Sequence, residues 1–388
     1  MDTPQLLVID DDSQVADFMT EVACLSGYSV TTVQRRADCE AYLAVNTPQV
    51  IILDLQMPEM DGVEFLRWLA ERQMTAAILL ISGADARVRN AAVRLGQELR
   101  LKMLGTMQKP VRLAELEGLL QNVRHDLPSS ENLKAALEQR QFTVHYQPQI
   151  ALDTQPGTLV GMEALVRWQR PGVGLVPPME FIPLAERSGL IDALTEYVME
   201  QALQAHAAWQ AQGLALTVAV NVAPVLLDRL DLPDRFLGLV SRQGANPATL
   251  KLEITESGAM QNVAKTMDIL TRLRLKNFAL SMDDFGTGFS SLVQLYRMPF
   301  SELKIDKSFV QEIERNDEAK TIIRVCIDLA RNLGLQVCAE GVESQAALQL
   351  LRGYGCTHAQ GYYIGKPMPA TEVPRWSTGW MGRAAAVA

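Results

Sequence analysis

Along the first third of the chain, short apolar runs at residues 6–9, 50–53 and 78–81 alternate with segments at 15–26, 63–72 and 87–98 whose apolar residues recur at helical spacing. That rhythm predicts a small α/β domain, doubly wound about a parallel sheet. The polar, proline-containing stretch His125-Asp126-Leu127-Pro128-Ser129-Ser130 then reads as a linker over 125–132 between domains at 1–124 and 133–380, with Ser130 placed to cap a helix starting at Glu131. Beyond it the pattern predicts strands at 143–149, 159–168, 215–222, 249–254, 278–282, 302–305, 336–339 and 361–363, and helices at 191–212, 259–273, 319–333 and 344–351. Some eight strand-helix units within about 250 residues suit a TIM-type (β/α)8 barrel. An open doubly wound sheet is the alternative, and the alanine-rich tail at 384–388 is expected to be disordered.

Composition narrows the partners. With 388 residues, 48% hydrophobic and 21% charged, the chain has an ordinary globular make-up and length enough for two or three domains. A formal charge of −9 argues against broad binding of nucleic acid or anionic membrane, and leaves room for a local basic pocket that takes one small anion. Cys24, Cys39, Cys326, Cys338 and Cys356 show no CxxC spacing and are odd in number, which suits buried thiols in a reducing cytosol. The start Met1-Asp2-Thr3-Pro4-Gln5 lacks a basic leader region and no apolar run reaches membrane length, so a cytoplasmic protein is expected. None of the four histidines stands in a triad or metal-ligand spacing, which disfavours nucleophilic triad chemistry.

In the first domain, Asp10, Asp11 and Asp12 follow one apolar run, Asp54 ends the next, Ser82 ends a third, and Lys109 closes a fourth in Gln108-Lys109-Pro110. The carboxyl ends of parallel strands share one crevice, so these distant pieces converge. The chemistry fits phosphoryl acceptance: Asp54 as nucleophile, Asp10 and Asp11 with Asp54 holding one magnesium ion, Ser82 and Lys109 contacting phosphoryl oxygens. A single strand-end aspartate more often merely caps the next helix; the joint pattern is what carries weight. From residue 5 to 123 the sequence resembles the receiver domain of two-component response regulators, which implies phosphotransfer from a sensor histidine kinase to Asp54. Thr106 stands where that family often has an aromatic residue reporting phosphorylation, and the segment 82–109 is long and rich in leucine and arginine.

The second domain centres on Ser281-Met282-Asp283-Asp284-Phe285-Gly286-Thr287-Gly288-Phe289-Ser290-Ser291-Leu292, where two adjacent carboxylates fall at the predicted end of a strand and the start of a glycine-rich turn. Neighbouring carboxylates repel unless a cation or a shared proton holds them. Glu163, Asn221, Glu253, Lys304, Asp306, Glu340 and Gln360 each sit in or just past an apolar strand, and such positions gather at one mouth of a barrel. An all-oxygen ligand set suits magnesium or manganese, whereas zinc would want histidine or cysteine. Two such ions about 3.5–4 Å apart, bridged by an ionised water, would supply nucleophile and charge neutralisation for phosphodiester hydrolysis. In that scheme Asp283 bridges with Asp284 beside it, Lys304 orients water or balances phosphate charge, and Arg167 forks onto a phosphate. Taken alone, Glu253 with Lys304 would read as a buried acid satisfied by a lysine.

Tyr146-Gln147-Pro148, Glu163-Ala164-Leu165-Val166-Arg167-Trp168, Asn221-Val222, Glu253-Ile254-Thr255-Glu256, Asp283-Asp284-Phe285-Gly286-Thr287-Gly288, Leu303-Lys304-Ile305-Asp306, Ala339-Glu340-Gly341-Val342-Glu343 and Gln360-Gly361-Tyr362 together resemble the EAL family of cyclic di-GMP phosphodiesterases, over residues 133–369. The resemblance implies hydrolysis of cyclic di-GMP to linear pGpG with magnesium or manganese. By it, Glu163, Asn221, Glu253 and Asp283 are metal ligands, Asp284 completes the second metal, Lys304 positions water and Glu340 is a general base or water partner. Gln147, Arg167 and Gln360 contact substrate, and Glu256 and Glu343 hold the loop after Asp284. Ala223-Pro224 stands where the family commonly has a serine, which is no ligand in this scheme. Phosphorylation at Asp54 is expected to modulate the barrel, and a homo-oligomer is expected on resemblance alone. A catalytically weak cyclic di-GMP receptor acting through protein contacts is the alternative. A DNA-binding regulator is disfavoured, since no recognition-helix domain or basic stripe is present, and no GG(D/E)EF-type segment predicts an attached cyclase.

Overall fold

Every second residue of β1 (Gln5–Ile9) serves the same apolar cluster: Leu7 and Ile9 pack with Ile51, Leu53, Ile78 and Leu80, while Leu6 and Val8 pack with Val50, Ile52, Leu79 and Ile81. A sheet buried on both faces needs continuous apolar strands, which is why these runs stand out in the sequence. The strands β2 (Ser29–Val33), β3 (Val50–Asp54), β4 (Ala77–Ser82) and β5 (Lys102–Gln108) complete a five-stranded parallel sheet in the order β2-β1-β3-β4-β5. Helices Arg36–Val45, Gly62–Glu71 and Ala86–Glu98 cover one face, and Ser13–Leu25 and Leu113–Asp126 the other. The long segment after Ser82 is accounted for by the helix Ala86–Glu98 and β5.

This computed structural model describes residues 3–57, 61–72, 74–155, 157–287 and 292–385, and the chain forms two compact units, Met1–Asn132 and Leu133–Ala388. Much of the expected linker is helical: one helix runs to Asp126 and the next spans Ser130–Glu138. The hydroxyl of Ser129, not Ser130, accepts from the Asn132 amide at 3.2 Å, so this helix begins one residue earlier than the sequence suggested. The final helix, Val373–Ala385, takes in two residues of the tail expected to be disordered; 386–388 lie outside the described residues.

The second unit is a closed eight-stranded barrel. Its staves are β6 (Phe142–Ala151), β7 (Thr158–Arg170), then, past the short hairpin strand β8 (Gly174–Val176), β9 (Thr217–Asn221), β10 (Leu250–Thr255), β11 (Ala279–Phe285), β12 (Glu302–Ile305), β13 (Gln336–Ala339) and β14 (His358–Gln360). Pairing of β6 with both β7 and β14 closes the ring, and β15 (Met368–Pro369) pairs with β6 at Tyr146 and His145, beyond the stretch taken by β14. The barrel is not wholly parallel: β6 runs antiparallel to both neighbours. Its link to β7 needs only a short hairpin, with no crossover helix.

Outward-facing Met162, Val218, Val220, Leu250, Leu252, Ile254, Leu280, Met282, Leu303, Ile305 and Val337 all join one core cluster with the surrounding helices. The last stave lies at His358–Gln360, three residues before the position read from Tyr362 and Tyr363, because Cys356-Thr357-His358-Ala359-Gln360 offers no apolar run. The helix expected at 259–273 is two pieces, Glu256–Met260 and Val263–Leu275, the second capped by the Asn262 side chain.

Candidate active site

With apolar residues facing out, the alternate residues face into the barrel, and each stave delivers one polar side chain to the carboxyl end of the parallel strands. These are Gln147 from β6, Glu163 from β7, Asn221 from β9, Glu253 from β10, Asp283 from β11, Lys304 from β12, Glu340 directly after β13 and Gln360 from β14. Lys304 is wholly buried at the centre, its Nζ 2.8 Å from Glu253, 3.2 Å from Asp283, 2.5 Å from Glu340 and 3.9 Å from Glu163. Four carboxylates around one ammonium leave an excess of negative charge away from water. Burial, reinforced by the neighbouring acids and opposed by Lys304, pushes the Glu253 carboxyl well up, and the same causes raise Glu340 to about 8. Burial also acts against ionised Glu163, yet Lys304 and the hydrogen bonds from Gln360 and Asn221 hold it below the usual range. The lysine itself rises, since its acids outweigh the cost of burial.

Asp283 and Asp284 do not end a strand, as the sequence suggested; β11 continues to Phe285. Consecutive strand residues normally point to opposite faces. Here the register against β12 slips between Met282 and Phe285, and Asp284 adopts a left-handed φ of 56°, so the bulge turns both carboxylates to one side. Ligand atoms of Asp283, Asp284 and Glu340 lie within 4.8 Å of one another. Burial, with Asp283 beside it, raises Asp284 to about 6.

The amides frame the other side. Asn221 Nδ2 donates to Glu163 Oε1 at 2.8 Å, and Gln360 Nε2 donates to Glu163 Oε2 at 2.5 Å and to Gln147 Oε1 at 3.0 Å. Gly361 lets the chain pass: a Cβ there would meet the backbone N and O of Val342 at 2.2 Å. A cavity of about 280 Å³ opens above, lined by Gln147, Glu163, Asp283, Glu340 and Gln360, by Leu165 and Tyr362, which the sequence motifs contain without a role, and by Lys307 and Gln311, which sequence reasoning did not single out. Leu165 carried a detectable signal, lying two residues past Glu163 on the same strand face. Arg167 lies two residues further along β7, half-buried, and donates to the Val166 carbonyl. Glu256 accepts from the Gly286 amide at 2.9 Å and so touches the loop after Asp284, whereas Glu343 accepts from Gln311. Gly288, Phe289, Ser290 and Ser291 lie outside the described residues. Asp306 caps the helix Lys307–Glu312.

In the first unit, Lys109 Nζ lies 2.8 Å from both Asp10 and Asp54, and the ligand atoms of Asp10, Asp11 and Asp54 fall within 4.8 Å of one another. Ser82, at the end of β4, donates to Gln56 at 3.3 Å. Burial raises Asp10 against the opposing pull of Lys109. Asp12 is a helix cap, accepting from the amides of Gln14 and Val15.

The model of the EAL domain matches residues 130–367, more than half the chain. The chain belongs to the EAL family. Ahead of the EAL domain, the response regulator receiver domain matches residues 6–121. Cyclic di-GMP phosphodiesterase RocR of Pseudomonas aeruginosa is 34% identical over 332 residues, covering 82% of this chain and 84% of RocR. An uncharacterized signaling protein of Caulobacter vibrioides is 41% identical over 249 residues, 64% of this chain but only 30% of that protein. The solved PaMucR phosphodiesterase in complex with c-di-GMP shares 39% identity and a TM-score of 0.60, covering 63% of this chain and 98% of that one. Several curated relatives are thus much longer than the stretch they share with this chain.

The EAL mouth fits a divalent cation on its own chemistry. Its donors are oxygens, its acids outnumber its one ammonium, and Glu253 Oε1 is buried without a hydrogen-bond partner among the described residues. No helix among the described residues is long and apolar enough to cross a membrane.

Proposed function

We propose that this chain is a response regulator that hydrolyses one phosphodiester of cyclic di-GMP to linear pGpG, a cyclic-guanylate-specific phosphodiesterase. The observation that carries the reading is the ring of Glu163, Glu253, Asp283 and Glu340 about buried Lys304, in an EAL barrel. Glu163, Asn221, Glu253, Asp283 and Asp284 would hold magnesium or manganese, two ions in all. When bound, these supply Lewis-acid activation of water and neutralisation of phosphate charge. Gln147, Gln360 and Arg167 bind and orient the dinucleotide. Lys304 keeps the carboxylates gathered and helps hold Glu163 ionised, and Glu340, raised to about 8, holds or takes a proton at the reacting end. Glu256, through the Gly286 amide, couples order of the Asp284 loop to the site; Glu343, which accepts from Gln311, would support that loop only indirectly.

In the receiver, Asp54 accepts a phosphoryl group from a sensor histidine kinase. Asp10, Asp11 and Asp54 hold one magnesium ion, while Ser82 and Lys109 contact the phosphoryl oxygens. Phosphorylation modulates the barrel by shifting populations between arrangements. The protein works in the cytoplasm as a homo-oligomer, which light scattering at micromolar concentration tests.

The purified full chain, given cyclic di-GMP and magnesium, should yield pGpG by chromatography, and Glu163→Ala and Asp283→Asn should abolish it. Tight binding without turnover in the parent would leave a receiver-inhibited enzyme or a receptor, and tight binding without turnover in the isolated barrel as well would sink the enzyme reading in favour of a receptor.

A further inference from the structure

Beneath the mouth, the barrel's inner face carries a second set of polar groups that the proposed reaction does not use. Lys251 lies two residues before Glu253 on β10 and faces the same way. Its Nζ is 2.7 Å from Glu302 Oε2, and Glu302 Oε1 accepts from Ser281 Oγ at 2.8 Å. All three residues are buried. The pair satisfies Glu302 but leaves the ammonium with protons to give, and one points to Gln149 Oε1 at 3.5 Å.

This arrangement has a direction. An ammonium only donates, a carboxylate only accepts, and a glutamine amide does one at each end. With Lys251 taking the Gln149 carbonyl, the Gln149 nitrogen faces Gln360 Oε1 at 2.9 Å. That sends the Gln360 nitrogen to Glu163 Oε2 at 2.5 Å and Gln147 Oε1 at 3.0 Å, and Gln147 Nε2 then donates to the Gly365 carbonyl at 3.1 Å. The chain starts on a donor-only group and ends on an acceptor-only group. Reversing either Gln149 or Gln360 would set like ends face to face in a buried space.

We propose that Lys251 and Gln149 are positioning residues for the barrel mouth: Lys251, anchored by Glu302, braces Gln149, and Gln149 braces Gln360, fixing its amide on Glu163. The role assigned to that mouth rests on the phosphodiesterase reading above; the network itself does not need it. Sequence patterning hid these residues because a lysine and a glutamate inside strands look like solvent-facing positions.

The full-length protein, with isotope-labelled glutamine, tests this by NMR. The Gln360 side-chain amide protons, assigned by their loss in Gln360→Ala, should exchange slowly in the parent. Gln149→Glu keeps a partner for Lys251 but removes the N–H that Gln360 requires, so protection at Gln360 should collapse. Lys251→Met combined with Glu302→Gln removes both charges together and should weaken protection in the same direction, less strongly. Lys251→Arg, still donor-only, should retain it. Manganese affinity and KM for cyclic di-GMP should worsen by about 10–100-fold in Gln149→Glu, the usual cost of losing a partner behind a ligand. Thermal unfolding identifies any variant that fails to fold, and the remaining one then decides. Gln360 protection and manganese affinity at parent values in the folded variants would overturn the proposal. Because amide exchange needs neither metal nor nucleotide, a parent that shows this protection but no turnover, with or without a phosphodonor for its receiver, would defeat the phosphodiesterase reading alone.

Discussion

Two lysines, one in each unit, sit among carboxylates and do so on different terms. Lys109 bridges Asp10 and Asp54 with its side chain 21% exposed, while Lys304 is 0% exposed amid four acids. The phosphoryl transfer proposed for Asp54 requires the crevice to admit a donor, which a lysine at the rim allows. The barrel mouth encloses its chemistry, and there the lysine is the internal counter-charge on which the acids depend. Exposure therefore separates a lysine that handles an incoming group from one that makes the site's own composition tolerable.

Removing each lysine is the sharpest test of that contrast. Lys304→Met should cost about 3–5 kcal/mol in urea unfolding, as breaking a buried ion pair does, and should extinguish hydrolysis. Lys109→Met should cost far less in the same measurement while blocking the response of Asp54 to a small-molecule phosphodonor. Equal losses of stability would break the comparison.

A difference in pH response follows. Glu340 is raised from 4.5 to about 8, and Asp284 from 3.8 to about 6. Between the ordinary and the raised values the folded state holds protons that the unfolded state has released, so these groups' contribution to stability falls as pH rises through that window. Metal-free protein should accordingly lose thermal stability from pH 5 to about 8, and manganese should restore it most at the upper end while releasing protons, seen as a buffer-dependent heat. Stability of the metal-free barrel that rises across this range would contradict the assignment.

Smaller effects probe the backbone. Gly361→Ala, whose Cβ would collide with Val342, should destabilise by about 1–3 kcal/mol in urea unfolding and loosen Gln360 beside it. Asp284→Val should cost about 1–2 kcal/mol for its left-handed φ, whereas Asp284→Asn tolerates that φ and, having no carboxyl to ionise, should match the parent near pH 5 and exceed it above pH 6 while losing metal affinity. Equal behaviour of the two variants in unfolding would argue that the bulge relaxes.

The sequence was most legible where a local pattern carries the information. Strands β3, β4, β10 and β12 read clearly because burial on both sides of a strand, or an apolar outer face with an acid at its end, leaves a mark within a few residues. Glu163, Glu253, Lys304 and Glu340 were found for that reason. What failed depends on pairing between distant segments. Nothing within residues 142–151 says that β6 runs backwards, since direction is set by what it lies beside. The bulge at Asp284 is a slip of register against β12, and β14 carries too few apolar residues to announce itself. Lys251, Glu302 and Gln149 are polar groups satisfied by partners on other staves, which no local pattern announces.

The apolar mass of the barrel lies between its staves and its helices, and the ring's inner face is polar to at least two levels. The scaffold's cohesion and its chemistry are thus written on opposite faces of the same strands, in alternating letters. Drift in one alphabet need not corrupt the other, so a lineage could rewrite what the lumen recognises, or silence it, and still inherit an intact barrel.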